Sequence, residues 1–317
     1  MGAKGGFGRV DSYKKTLITG GSGMVGSAFK RILPNAEYPT RQEMDLSQGA
    51  SFEGVDGVIH LAARVGGIKA NMDFVGDFYI DNMRINHNVI NQAKKDGVRK
   101  VVSLLSTCVY PDAAYIKYPL TEEQLHIGPP HDSNFGYAYA KRMVDVISRA
   151  YRQQYGCNFI TAIPNNLYGE HDNFDLINGH VIPALMRRIW EAKINDVSSV
   201  ECWGDGSPLR EFTYSEDVAH ILLFLMKHFD GAEPINIGNT EEYSIQEVVK
   251  LICEYLEYDG KIIWNTDKPS GQYRKPSSNR KLLELGWREE NYTPFKEGLK
   301  KTCKWFKINY PNVRGVV

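Results

Sequence analysis

A short apolar stretch near the start of the chain runs directly into a glycine-rich turn. Residues 15–19 (KTLIT) have the character of a buried strand, residues 20–26 (GGSGMVG) carry glycine at every third position, and residues 27–33 continue as a helix. The missing side chains would let backbone amides and a helix N-terminus approach a pyrophosphate. A tight turn alone would select similar residues, but between a strand and a helix this turn predicts a dinucleotide-binding site.

Further strands and helices alternate along the chain. Residues 81–96 and 135–155 have the length and periodicity of helices. The other candidates for buried strands are residues 57–63, 100–105, 159–163 and 234–238. This alternation predicts an α/β fold, a Rossmann-type doubly wound parallel sheet with helices on both faces.

The rhythm becomes irregular after residue 169, where prolines separate shorter elements. We therefore expect a smaller substrate-binding domain that is interleaved in sequence with the cofactor-binding domain. The predicted divisions are a loose N-terminal leader (1–14), a Rossmann domain (15–168 plus about 210–240) and a substrate-binding domain (about 169–209 plus 241–317).

Composition restricts the class of ligand and the compartment. The 317 residues include 38 basic and 38 acidic side chains, which favours a small-molecule substrate over nucleic acid or a membrane surface. Five cysteines without zinc-ligand spacing argue against a disulfide framework or a metal site and favour a cytoplasmic protein. The N-terminal segment lacks an apolar signal core, and no apolar run reaches about 20 residues.

The residues that would meet the adenosine ribose indicate which dinucleotide binds. The predicted second strand ends at residues 38–41 (YPTR), where an acidic residue would favour a free 2′-hydroxyl. Arg41 instead suggests a 2′-phosphate and hence NADP, although a solvated surface arginine is the alternative. Asp45 could accept a hydrogen bond from the adenine amino group or cap the next helix.

Tyr137 and Lys141 lie four residues apart in the predicted helix and so share one face. With the hydroxyl of Ser106, at the end of a predicted strand, they can form a site that moves hydride and proton at a carbonyl. A nearby ammonium favours the tyrosine phenolate. Tyr139 lies on a different face of the helix and is assigned to packing.

Cys108 and His180 would add a second acid/base pair, which a simple reductase does not need and which points to epimerisation. The alternatives are a small buried hydrophobe for the cysteine and a helix-start cap or packed residue for the histidine. The remaining cysteines are assigned to packing: Cys157, Cys202, Cys253 and Cys303.

Several motifs resemble the extended short-chain dehydrogenase/reductase family. Its serine, tyrosine and lysine triad matches Ser106, Tyr137 and Lys141, and its other marks match the glycine turn, residues 60–63 (HLAA) and residues 164–169 (PNNLYG). Six more stretches resemble one branch of that family, over about residues 15–310: 106–111 (STCVYP), 128–131 (GPPH), 134–137 (NFGY), 169–174 (GEHDNF), 179–183 (GHVIP) and 203–206 (WGDG).

The resemblance implies a two-stage reaction on a sugar nucleotide. GDP-4-keto-6-deoxy-D-mannose would be epimerised at C3 and C5 and then reduced at C4 by NADPH to GDP-L-fucose. A C4 ketone acidifies the hydrogens on both neighbouring carbons, and two differently placed groups can remove and return protons. The resemblance assigns these roles to Cys108 and His180, with Ser106 and Tyr137 on the carbonyl oxygen. It also implies a homodimer.

The resemblance further implies two sets of binding residues. The cofactor residues are Gly20, Ser22, Gly23, Met24, Val25, Gly26, Arg41, Asp45, Leu61, Ala62, Lys141, Pro164, Asn166, Leu167 and His180. The substrate residues are Asn134, Asn166, Arg188, Trp203, Arg210 and Lys275. Trp203 could equally be a core aromatic and Lys275 a solvated lysine. Ser270 stands where the family commonly has an aspartate, which puts nucleotide affinity or guanine selectivity in question.

Two competing functions stay open at this point. A related NAD-dependent sugar-nucleotide 4-epimerase or 4,6-dehydratase would regenerate its cofactor in each turnover. The dehydratase commonly has an acidic pair where this chain has Cys108 and Val109, and Arg41 with the cysteine and histidine disfavours the 4-epimerase. A non-enzymatic dinucleotide-binding regulator could lose the tyrosine and lysine, yet both are present.

Overall fold

The computed structural model describes residues 13–268 and 273–316. Its strands are Thr16–Thr19 (β1), Gly57–His60 (β2), Lys100–Leu104 (β3), Phe159–Pro164 (β4), Asn166–Tyr168 (β5), Ser199–Trp203 (β6), Leu209–Tyr214 (β7), Ile235–Ile237 (β8), Glu242–Ser244 (β9) and Lys261–Asn265 (β10). Its helices are Met24–Ile32 (α1), Ile68–Asp73 (α2), Val75–Lys95 (α3), Phe135–Tyr155 (α4), Val181–Ile194 (α5), Ser215–His228 (α6), Ile245–Leu256 (α7), Arg280–Glu284 (α8) and Phe295–Asn309 (α9).

The central sheet has five parallel strands in the order β1-β2-β3-β4-β8. Strands β1 to β4 are almost wholly buried, as continuous apolar runs covered on both faces require. The strand predicted to end at residues 38–41 is reduced to a single parallel bridge, Glu37 to Leu17, beside β1. The predicted Rossmann-type α/β fold is confirmed.

Two predicted helices begin earlier than expected. Helix α1 starts at Met24, inside the glycine stretch, and α3 starts at Val75, six residues before the predicted start. Apolar side chains in the first turns of α3, including Tyr79 and Ile80, remain exposed, so they break the periodic pattern from which a helix is predicted. Helix α4 has the predicted bounds and ends at Gly156 in the left-handed region.

The remaining strands form two smaller sheets, β5-β7-β9 and β10-β6. Helices α5, α7 and α9 pack on them around a core of their own, which includes Phe174, Phe295 and Phe306. Leu282 and Trp287, far along the chain, instead pack into the core of the central sheet. The division into interleaved domains at the stated boundaries stays a prediction.

The N-terminal leader falls largely outside the described residues. Within the described part, Tyr13 donates a hydrogen bond to the Met226 carbonyl oxygen (3.2 Å) and packs against the core of the central sheet. Among the described residues, no helix is both long and apolar enough to cross a bilayer.

Candidate active site

The candidate residues collect at the carboxyl edge of the central sheet, where ligands of open α/β folds bind. Gly20 follows β1, Leu61 follows β2 and Ser106 lies just beyond β3. Pro164 ends β4, and Leu167 lies in β5 and packs against the central core. The parallel sheet therefore brings together segments that are widely separated in sequence.

The glycine turn leaves room for a phosphate group. Gly20 has a φ of +72°, and a Cβ there would lie 2.8 Å from the Ala62 backbone nitrogen. Gly23 precedes α1 and provides no side-chain cap. The first-turn amides of α1, from Met24 and Val25 onward, can therefore donate hydrogen bonds to a ligand. Ser22 is exposed at the same turn. These features fit the pyrophosphate of a dinucleotide.

Replacing Gly26 by alanine should weaken NADPH binding about tenfold or more, because overpacking of a tight turn costs about 1–3 kcal/mol. An added Cβ would overlap the Gly20 carbonyl oxygen, so the turn must open. Fluorescence titration with NADPH and thermal unfolding would measure the effect. Gly49→Ala is the matched control, since nothing lies within 4 Å of its added Cβ. Equal behaviour of the two variants would contradict the expectation.

Arg41 and Asp45 lie together on the surface beyond the single bridge at Glu37. The side chain of Arg41 is 84% exposed, and its Nε lies 3.4 Å from Asp45 Oδ2. Asp45 Oδ1 accepts hydrogen bonds from the Ser47 hydroxyl (2.7 Å) and amide (3.0 Å), which lower the pKa of the carboxyl. Asp45 therefore caps a turn, not a helix. The guanidinium of Arg41 stays accessible to a 2′-phosphate.

Ser106, Cys108 and Tyr137 form one group. Ser106 begins a 3-10 turn over Thr107–Val109, and its Oγ accepts a hydrogen bond from the Cys108 amide (3.3 Å). Burial raises the pKa of Tyr137, the nearby Cys108 raises it further, and a hydrogen bond with Ser106 lowers it. Tyr137 therefore carries its proton at neutral pH, as a proton donor must.

Lys141 lies one helical turn after Tyr137 and is almost fully buried. Its Nζ donates to the Leu104 carbonyl oxygen (2.9 Å) at the end of β3, and burial lowers its pKa to about 8. Burial and the Lys141 charge together lower the pKa of His60 to about 3. Lys141 is thus an ammonium at pH 7 that loses its proton as the pH rises through about 8.

His180 stands on a separate segment, at the residue before α5, and its side chain makes no capping hydrogen bond. Its Nδ1 lies 3.9 Å from Oδ1 of Asp172, a buried carboxylate. Asp172 raises the pKa of His180, while burial and Arg314 act in the opposite direction. Sequence reasoning missed Asp172, although it lies in the 169–174 motif.

Lys275 lies beside the cysteine, and Arg210 acts on Lys275. Lys275 Nζ donates to the Thr107 carbonyl oxygen (3.1 Å). Burial lowers the pKa of Lys275, Cys108 raises it and Arg210 lowers it, so Cys108 and Arg210 both lie close enough to Lys275 to act on its charge. Arg210 is itself held by the Leu209 carbonyl oxygen (2.7 Å). The lysine therefore lies beside the candidate thiol and not in a solvated loop.

A buried carboxylate, Glu211, anchors the loop that carries Lys275. It accepts hydrogen bonds from the Ser277 amide (2.8 Å) and hydroxyl (2.6 Å), and burial raises its pKa. Its backbone carbonyl oxygen accepts from Asn166 Nδ2 (2.9 Å). The position of Glu211 next to Arg210 was the only sequence signal that it would anchor this loop.

Asn134, just before α4, has a buried Oδ1 without a hydrogen-bond partner.

Arg188 and Trp203 line a cavity of about 430 Å³. Trp203 is 56% exposed, which rules out a core role in this structure, and Arg188 donates to the Glu201 carbonyl oxygen (3.0 Å). The neighbouring Arg187 turns inward to the carbonyl oxygens of Phe174 and Gly315. A larger cavity of about 610 Å³ lies at the C-terminal end of α1 and is lined by none of the predicted site residues.

The remaining cysteines and the other predicted features take no direct part in the candidate site. Burial raises the pKa of each remaining thiol, which agrees with a packing role: Cys157, Cys202, Cys253 and Cys303. Within residues 13–268 and 273–316, no group of three or more histidine, cysteine, aspartate or glutamate side chains could hold a metal ion. Ser270 lies outside the described residues.

Comparison with known proteins finds similarity along nearly the whole chain. Residues 16–238 match the NAD dependent epimerase/dehydratase family. A GDP-L-fucose synthase of Dictyostelium discoideum is 41% identical over 96% of this chain and 98% of its own length. The GDP-L-fucose synthase of Escherichia coli (strain K12) is 35% identical over 96% and 100%. A crystal structure of a GDP-L-fucose synthetase from Naegleria fowleri bound to NADP has a TM-score of 0.87 at 40% identity and covers 94% of both chains.

Proposed function

This chain belongs to the NAD dependent epimerase/dehydratase family, and we propose that it converts GDP-4-keto-6-deoxy-D-mannose to GDP-L-fucose with NADPH as its cofactor. The reaction epimerises C3 and C5 and then reduces C4. One observation carries the proposal: the cysteine thiol of Cys108 shares a site with the Ser106 and Tyr137 pair. A simple reductase needs only the pair.

The epimerisation relies on groups that stabilise charge on the C4 oxygen. Removal of a proton from C3 or C5 builds negative charge there, and the hydroxyls of Ser106 and Tyr137 donate hydrogen bonds to it. Cys108 and His180 remove and return the protons at carbon. Because they stand on different segments, beyond β3 and before α5, they are suited to opposite faces of the sugar.

The reduction uses the same hydroxyl pair. NADPH, when bound, supplies the hydride for C4. Tyr137, protonated at neutral pH, gives its proton to the C4 oxygen, and Ser106 keeps that oxygen oriented. The Lys141 ammonium, charged at pH 7, offsets the negative charge that Tyr137 acquires.

The cationic and aromatic residues hold the substrate. Lys275 lies beside the candidate thiol and Arg210 acts on Lys275, so the two cations can neutralise a diphosphate near the sugar. Arg188 and the exposed ring of Trp203 line a cavity where a guanine can stack. Asn134 and Asn166 contribute polar groups at the carboxyl edge of the sheet.

NADPH oxidation followed at 340 nm with GDP-4-keto-6-deoxy-D-mannose in deuterated water, with NMR of the product, tests the proposal. We expect GDP-L-fucose deuterated at C3 and C5. Oxidation without deuterium would indicate a plain 4-ketoreductase. Sugar conversion without net NADPH oxidation would favour an NAD-dependent epimerase or dehydratase, and NADPH binding without any turnover would favour a regulator.

We also propose that the protein is a homodimer joined through α3 and α4. These helices pack on each other and expose several large apolar side chains: Val75, Tyr79, Ile80, Phe135 and Val146. Ile80→Asp should convert the dimer to a monomer in size-exclusion chromatography with light scattering. Ile308→Asp is the control, because the Ile308 side chain near the end of α9 is exposed but lies outside α3 and α4. A wild-type monomer, or dimers of both variants, would contradict the proposal.

A cytoplasmic location is the corresponding proposal for the compartment. All five cysteines are free thiols, including the half-buried Cys108 and Cys253. A reducing compartment keeps thiols in this state. Such a location also suits a reaction that consumes NADPH and needs the Cys108 thiol unoxidised. Subcellular fractionation of the native source would test it, and recovery in an oxidising compartment would contradict it.

A further inference from the structure

A buried carboxylate next to the active site lacks part of its hydrogen bonding. Asp172 is only 5% exposed, and its Oδ1 accepts a hydrogen bond from the Asn173 amide (2.7 Å). Its Oδ2 is buried without a hydrogen-bond partner. Leaving a buried acceptor unsatisfied costs about 1–3 kcal/mol, and more for a charged group. A buried carboxylate of this kind is normally paired with a nearby hydrogen-bond donor.

The loop around Asp172 is held in place at both ends. His171 has a φ of 64°, in the left-handed region that non-glycine residues rarely adopt, and its ring lies 4.5 Å from the ring of Trp305. On the other side, the buried Phe174 donates its amide to the Arg314 carbonyl oxygen (2.8 Å). The carboxylate between these anchors therefore has little freedom to move. Unusual backbone conformations of this kind concentrate at functional sites.

The donor within reach is the imidazole of His180. Its Nδ1 lies 3.9 Å from Asp172 Oδ1, and 54% of the side chain is exposed. The preceding Gly179 sits tightly against the 173–175 loop, because a Cβ there would overlap the backbone carbonyl oxygens of Asn173 and Asp175. One edge of the ring thus faces a buried carboxylate, while the rest remains open to a ligand.

We propose that Asp172 is a positioning residue that accepts the Nδ1–H of His180 and so presents Nε2 to one of the two epimerised carbons. This inference rests on the proposed function. The hydrogen bond selects the tautomer in which Nε2 carries the lone pair that removes a proton, or the proton that is returned to carbon. A carboxylate partner of this kind also fixes the orientation of the ring.

The electrostatics of the pair have a definite sign. The charged groups that act on His180 are Asp172, which raises the pKa of the imidazole, and Arg314, which lowers it; burial lowers it as well. The negative charge of Asp172 stabilises the imidazolium form of His180, so the ring stays protonated up to a higher pH. Neutralising this carboxylate should therefore move the titration of His180 to lower pH.

Asp172→Asn tests the pairing because it keeps the size of the side chain and removes the charge. We expect the NMR titration midpoint of His180 to fall by about one pH unit, since a nearby opposite charge shifts a pKa by about 1–3 units. Deuterium exchange at one sugar carbon should slow about 10–100-fold, a part of the roughly 10²–10⁴-fold that a positioned acid or base contributes. NADPH affinity should stay within about twofold, and Asp172→Glu should recover part of the exchange rate because it restores the negative charge.

Asp175→Asn is the loop control. Asp175 accepts hydrogen bonds from the amides of Ile177 and Asn178, so this variant disturbs the loop without removing the carboxylate that faces His180. An equal fall in the His180 midpoint in both variants, or no fall in Asp172→Asn, would overturn the proposal.

A measurement on the wild-type protein removes any dependence on folding of the variants. Nitrogen chemical shifts should show neutral His180 with its proton on Nδ1, and a proton on Nε2 would overturn the pairing. These titrations need no substrate. Absence of deuterium at C3 and C5 in the wild-type product would refute the proposed function, while the histidine measurements would still decide the pairing.

Discussion

Replacement of Tyr137 by phenylalanine should slow reduction at C4 by about 10²–10⁴-fold, the range that a positioned general acid contributes. Burial holds the Tyr137 proton in place at neutral pH, and phenylalanine keeps the ring without the hydroxyl. Exchange at C3 and C5 should fall less, because the Ser106 hydroxyl can still donate to the C4 oxygen. Single-turnover NADPH oxidation and NMR of the sugar in deuterated water would separate the two stages.

Tyr139→Phe is the matched control for that variant. Tyr139 lies two residues further along α4, on a different face, and its ring packs at 5.0 Å from Phe135. Its loss should leave both stages nearly unchanged. A comparable slowing in Tyr139→Phe would point to a general disturbance of α4. A fall in NADPH affinity that matches the loss of rate in Tyr137→Phe would contradict the role of proton donor.

Cys108→Ser should slow proton exchange at one epimerised carbon by about 10²–10⁴-fold, because a serine hydroxyl is a far weaker acid than a thiol and cannot replace it in acid/base catalysis. NADPH affinity should not change. Reduction of a sugar that is already epimerised should continue, since Tyr137 and Ser106 are intact. His180→Gln should impair exchange in the same selective way. NMR of each deuterated position would show which carbon each residue serves.

Cys157→Ser is the control for the thiol. Cys157 has intermediate exposure like Cys108 but packs against the core beside β4, and burial raises its pKa. We expect wild-type exchange at both carbons. If Cys157→Ser slows exchange as strongly as Cys108→Ser, the chemical role of Cys108 is wrong. The same conclusion would follow if Cys108→Ser lost exchange only in proportion to lost NADPH binding.

Local sequence was sufficient for the parts of the fold that depend on neighbouring residues. The apolar run before Gly20 and the glycines after it predicted the first strand, turn and helix. The spacing of Tyr137 and Lys141 placed both on one face of α4. Helix starts were less well predicted, because the exposed apolar side chains in the first turns of α3 obscure the helical period.

Tertiary structure alone decided which distant residues meet. Asp172 lies in the 169–174 motif, yet nothing in that motif showed that it would be buried against His180. Lys275 contacts Thr107, 168 positions earlier in the chain, from a loop that Glu211 holds through Ser277. The strand, turn and helix periods are set by contacts within a few residues and can be read from the sequence. The partners of a buried charge depend on how separate segments pack. Because an unpaired buried charge costs free energy, the fold must bring a partner from another segment beside it, and local sequence does not show which one.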